Sequence, residues 1–162
     1  MFELKPLSPD AVPRALAKAE RYRLLNEPNE AQSICLDVLA ADPGNQDALT
    51  TMLLALTDQF VSDRSAVHEA QTLVSRLKDE YERAYYTGIV YERETRAYLE
   101  RKNVVRSAAY DGFRHAMEWY ERAEALRPPG NVDAVLRWNS CVRAIERERL
   151  EPEPETRELP LE

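Results

Sequence analysis

Three stretches of this chain repeat one spacing, and that spacing narrows what the chain can fold into. Ala31, Cys35, Val38 and Pro43 fall at intervals of four, three and five residues, and Ala116, Tyr120, Ala123 and Pro128 fall at the same intervals. Ala70, Val74 and Leu77 repeat the first two intervals. Intervals of four and three put side chains on one face of an α-helix, so each set predicts the stripe of one helix. Two of the three stripes close near a proline, which cannot continue an upstream hydrogen-bond ladder. Three similar helices in 162 residues point to stacked copies of a single unit.

Composition supports helices. Only four glycines occur, while Ala, Leu, Glu and Arg are abundant, a balance that favours long helices over strands and tight turns. The net charge of −7 and a pI near 5.0 argue against nucleic acid as the main partner, since phosphate binding needs a clustered basic surface. Acidic and basic residues alternate in Glu92-Arg93-Glu94 and Glu146-Arg147-Glu148-Arg149, a pattern that predicts solvated, ion-paired helix faces. No signal-peptide pattern follows Met1, and no apolar run approaches the roughly 18–20 residues that span a bilayer. The expected setting is the cytoplasm, away from membranes. Cys35 and Cys141 lie far apart within helical patterns and are expected to be buried free thiols.

Local signals place about seven helices. Ser8-Pro9-Asp10 is a helix start, with serine as N-cap, and the first helix runs on to about Asn26. The others are expected over 28–41, 46–60, 65–77, 80–101, 103–126 and 132–149, and Asp42-Pro43-Gly44-Asn45 and Arg127-Pro128-Pro129-Gly130 are the clearest stops. No glycine or proline marks the turn expected near Lys78-Asp79. A helical domain over 8–149 is then followed by a flexible acidic tail over 150–162, because Glu151-Pro152-Glu153-Pro154-Glu155 cannot build a core.

The repeated stripe resembles the second helix of tetratricopeptide repeats, in which a small residue, an aromatic and an alanine precede a closing proline. Ala116, Tyr120, Ala123 and Pro128 fit this pattern, and Ala31 with Pro43 fits it with Cys35 in the aromatic's place. The first helix of such a repeat carries a small residue three before a tyrosine, as in Ala19 with Tyr22 and Gly88 with Tyr91, while Trp138 supplies the large residue expected early in a repeat. The resemblance implies an all-α fold of antiparallel helices: three hairpins and a C-terminal capping helix, wound as a right-handed superhelix. Small residues would let paired helices approach, and Tyr22, Tyr91 and Tyr120 would fill the spaces between hairpins. The array is irregular, since the matching alanines are separated by 39 and then 46 residues instead of about 34.

No residue pattern supports catalysis. His68 and His115 are the only histidines; His115 shares a helix face with Glu118, but a surface histidine is the expected reading, with no metal and no cofactor. No phosphate-cradling loop or nucleophile motif occurs, so an enzyme is not expected. The resemblance implies instead a non-catalytic module that binds a partner peptide or helix in a concave groove. With the core side set by Gly88 and Tyr91, helix phase assigns Tyr86, Val90, Arg93 and Ala97 of the fifth helix to that groove, and Arg137, Ser140 and Arg143 of the seventh. Lys18 is the lone counterpart of the Lys and Asn residues with which some family members grip a terminal carboxylate, so chaperone-tail binding is not expected. Alternative functions are self-association into a homo-oligomer, and a small-ligand bundle with Tyr85, Tyr91, Tyr110 and Trp119 around a pocket.

Overall fold

The computed structural model describes residues 1–155, and among them the chain is all-helical, without strands. A short 3-10 turn, Pro9–Ala11, leads into α1 (Val12–Leu24), followed by α2 (Pro28–Ala41), α3 (Gln46–Thr57) and α4 (Ser65–Ser75). α5 (Glu80–Leu99), α6 (Arg106–Leu126) and α7 (Asp133–Glu148) complete the array. Each helix packs on the next through a short connection, and α1 with α3 and α3 with α5 also touch. Consecutive helices are therefore antiparallel hairpins, and the odd-numbered helices lie side by side.

The repeated stripes are what the packing buries. Ala31, Cys35 and Val38 of α2, Ala70, Val74 and Leu77 in and just after α4, and Ala116, Tyr120 and Ala123 of α6 are all buried. Small residues set the helix separation. A Cβ on Gly88 of α5 would lie 2.6 Å from the Tyr120 ring of α6, and one on Gly112 of α6 would lie 2.2 Å from Thr95 Oγ1 of α5. These two contacts explain why α5 and α6, of 20 and 21 residues, form the most extensive helix pair. Two main cores result. One joins α1 to α4 with Val90 and Ala97 of α5, and the other joins α5, α6 and α7 with Leu150.

Several boundaries differ from the sequence expectation. Ser8 does not cap with its side chain; its carbonyl accepts from Ala11 N–H and the chain makes a 3-10 turn before α1 begins at Val12. α3 ends at Thr57 although Phe60 stays in the core. α6 starts at Arg106, because Asn103 takes a positive φ of 61° that stops any earlier helix. At the turn before α5, Asp79 is the N-cap, its carboxylate accepting from Tyr81 N–H at 3.1 Å. That acid, three residues before Glu82, is a helix-start signal. The acidic tail begins one residue later than expected. Arg149 adopts a left-handed φ of 52°, Leu150 N–H donates to Ile145 C=O, and Arg149 N–H donates to Glu146 C=O, which closes α7 and turns Leu150 into the core. Residues 151–155 are exposed and carry no regular structure. The remainder of the expected flexible tail lies outside the described residues.

Candidate functional site

The odd-numbered helices share a face that carries a cleft and a row of charges. The cleft, of about 610 Å³, runs between α1 and α3 and is closed on one side by α5. Leu16, Glu20 and Arg23 of α1, Asp47, Thr50 and Leu54 of α3, and Tyr86 of α5 line it. Tyr86 packs against both cores, so its ring is held where the two meet.

Beyond the cleft, the face is organised by one carboxylate. Glu92 of α5 has no exposed surface. Arg137 of α7 grips it with a two-pronged contact, Nε to Oε2 at 3.0 Å and Nη2 to Oε1 at 2.8 Å. Arg96, one turn along α5, donates from Nε to Oε1 at 2.9 Å and from Nη2 to Ser140 Oγ at 3.0 Å. The Tyr120 hydroxyl of α6 donates to Oε2 at 2.6 Å. One buried carboxylate thus ties three helices together, with both oxygens occupied. Glu92-Arg93-Glu94 is therefore not the solvated face that charge alternation predicts. Glu92 falls on the buried stripe Tyr81, Ala84, Gly88, Glu92 and Thr95, and that phase was the available signal.

A second carboxylate, Asp58 at the end of α3, lies 2.8 Å from Arg23 Nε and 3.9 Å from Arg93 Nη1. Burial, and then the charge of Arg137, hold the Arg93 guanidinium below its usual pKa, against the pull of Asp58 and Glu92. Burial also works to lower Arg137, but Glu92 and Tyr120 outweigh it and the pKa rises. Burial, then the charge of Glu92, raise the Tyr120 hydroxyl, which stays a donor. The same two causes push the Cys141 thiol up to about 12. Burial alone pushes Cys35 up to about 11. Both cysteines are free and buried, and neither is a nucleophile near neutral pH.

Of the residues assigned to a groove by helix phase, Tyr86, Arg93, Arg137 and Ser140 come together on this face, each partly exposed. Val90 and Ala97 do not. They are 3 % exposed and belong to the first core, because α4 and the end of α3 cover that side of α5. Arg143 is exposed and makes no ion pair among the described residues.

No family model, characterised protein or solved structure gives a significant match to this chain. What the site does must come from its geometry.

The rest of the surface is less organised. Tyr85, Tyr91, Tyr110 and Trp119 do not surround one pocket. Tyr85 packs on Tyr81, Tyr86 and Tyr120, and Tyr91 lies 5.7 Å from the exposed His115 ring. Trp119 sits under Arg122 at 4.3 Å, on a separate cleft between α4, α5 and α6. Tyr22 belongs to none of the described cores and instead flanks an open cleft with Lys18 above its ring. Among the described residues, no three His, Cys, Asp or Glu side chains converge as metal ligands, and no helix is long and apolar enough to cross a membrane.

Proposed function

We propose that this chain is a non-catalytic protein-interaction module of tetratricopeptide-like design that binds a peptide or helix on the face shared by α1, α3, α5 and α7. The observation that carries this reading is the continuity of the cleft beside Tyr86 with the row Arg23, Arg93, Arg96 and Arg137. The cleft offers apolar and hydroxyl groups to a partner's backbone and side chains, and the arginines offer fixed donors. Glu92 preorganises the row by holding Arg96 and Arg137, which limits the ordering cost of binding. The recurrent stripes, the tight Gly88–Tyr120 contact and the hairpin packing support the tetratricopeptide-like reading.

Affinity capture from the native cell with mass spectrometry identifies the partner, and alanine at Tyr86, Arg93 and Arg143 together tests the face. The triple variant is expected to fold and to lose most of its capture. Full capture by the folded variant would remove this face from consideration. A second reading, self-association, draws on exposed apolar side chains before and at the end of α1 and on α7, notably Phe2, Leu4, Leu25 and Leu136. Light scattering over a dilution series decides it, since a mass equal to one chain at every concentration excludes this reading.

A further inference from the structure

The row of arginines holds more positive charge than its own carboxylates neutralise. Arg23, Arg93, Arg96 and Arg137 face two acids, Asp58 and Glu92, in a chain whose net charge is −7. Glu92 has both oxygens filled by Arg96, Arg137 and Tyr120. Asp58 is held at 2.8 Å by Arg23, which leaves Arg93 a looser approach of 3.9 Å. Among the described residues the Nε atoms of Arg93 and of Arg23 are both buried without a hydrogen-bond partner, Arg23 Nε lying 2.8 Å from Asp58 Oδ2 but bonding that carboxylate through Nη2 at 3.4 Å. A desolvated cationic donor without an acceptor is costly, and an acceptor brought to the guanidinium offsets part of that cost. The Arg93 side chain keeps 34 % of its surface exposed, so an incoming anion can reach it. Glu20 and Asp47 are the acidic side chains that line the cleft itself, and burial, then the charges of Asp79 and Asp47, raise the pKa of Glu82 on α5.

We propose that Arg93, flanked by Arg23 and Arg137, anchors an anion subsite whose ligand is a carboxylate side chain of an acidic peptide from a partner protein. This deepens the reading of the face as a peptide-binding surface and rests on it. A planar carboxylate matches the guanidinium fork and accepts from donors that Asp58 leaves open. Thr50, Leu54 and Tyr86 of the cleft receive the residues beside the acid. The partner is favoured over Glu151, Glu153 and Glu155 of this chain because those three are exposed and make no ion pair among the described residues.

The experiment is fluorescence anisotropy of fluorescein-labelled hexaglutamate with the full chain, with hexaglutamine as the neutral control. Hexaglutamate is expected to bind, more weakly at high salt, and hexaglutamine to bind at least tenfold more weakly. Arg93→Gln should weaken hexaglutamate binding roughly tenfold, while Asp58→Asn, which frees Arg23 and Arg93 from their own carboxylate, should tighten it several-fold. Opposite signs from two substitutions at one contact are not a folding effect, and Asp58→Asn still decides the matter if Arg93→Gln fails to fold. Equal binding of both peptides, or affinity that neither substitution changes, overturns the subsite. So does stronger binding of hexauridylate, which would assign the face to nucleic acid. A chain carrying Glu151→Gln, Glu153→Gln and Glu155→Gln that binds hexaglutamate tenfold tighter than the wild type reassigns the site to its own tail. If hexaglutamate fails while partner capture still depends on Tyr86, the subsite falls and the peptide-binding reading stands.

Discussion

Glu92 concentrates the largest single-residue effects in this protein. Replacing it with Gln keeps its volume but leaves Arg96 and Arg137 facing a neutral amide. Removing one partner of a buried ion pair costs about 3 kcal/mol or somewhat more, and the urea midpoint should fall accordingly. Tyr120→Phe removes only the hydroxyl donated to Oε2 at 2.6 Å. It is expected to cost about 1.5–3 kcal/mol, as for hydrogen bonds to charged groups. If Glu92→Gln proves as stable as the wild type, the hub has no energetic role. Gly88→Ala tests a contact of another kind. The added Cβ meets the Tyr120 ring at 2.6 Å, with nothing flexible to yield. A loss of about 1–3 kcal/mol is expected from overpacking, whereas Gly44→Ala, whose nearest neighbour is Lys78 Nζ at 4.0 Å, should be nearly silent. Gly88 was legible as a close-approach site because it precedes a tyrosine by three on a helical stripe. Glu92 was legible only by its phase on that same stripe, because a carboxylate beside an arginine otherwise looks the same in sequence whether it faces water or the core.

Helix ends show how local chemistry and long-range packing divide the work. α2, bounded by Glu27-Pro28 and Asp42-Pro43, was expected to run over 28–41, and it does so, since proline punctuation acts within the chain. α7 ends differently. Its stop depends on Arg149 taking a left-handed conformation, which L-residues disfavour unless something compensates. Burial of Leu150 at 5 % exposure is that compensation. Leu150→Ala should therefore cost about 2 kcal/mol or more and loosen the last turn of α7. Chemical denaturation gives the first effect, and faster amide exchange near Glu148 gives the second. An unchanged midpoint would mean that Leu150 is an ordinary tail residue.

Across the whole molecule, the buried titratable groups set a direction for pH dependence. Cys35 and Cys141 are raised to about 11 and about 12 in the fold from a starting value of 9.0, and Tyr120 is raised above 10.0. Above pH 9 the unfolded chain releases protons that the folded chain retains, so stability falls as pH rises from about 9 toward 12. Guanidinium midpoints at pH 8 and pH 11 check this, and a flat profile would contradict the burial of these groups. Thiol titration at pH 8 is expected to proceed only as fast as the molecule opens.

The helical class, the three buried stripes, the two free thiols and most helix boundaries were determined by sequence alone, because helix periodicity and capping act between residues a turn or two apart. Helix phase also brought Tyr86, Arg93, Arg137 and Ser140 to one face. It could not exclude Val90 and Ala97, since phase says which residues share a side of α5 but not which neighbour covers it. Only the tertiary structure decided that Glu92 is the hub of α5, α6 and α7 and that Arg93 has a buried donor without a partner among the described residues. The reason is physical. A charge's role depends on what shares its surroundings across 28 and 45 residues of chain, as Tyr120 and Arg137 do for Glu92, and no local pattern records that distance.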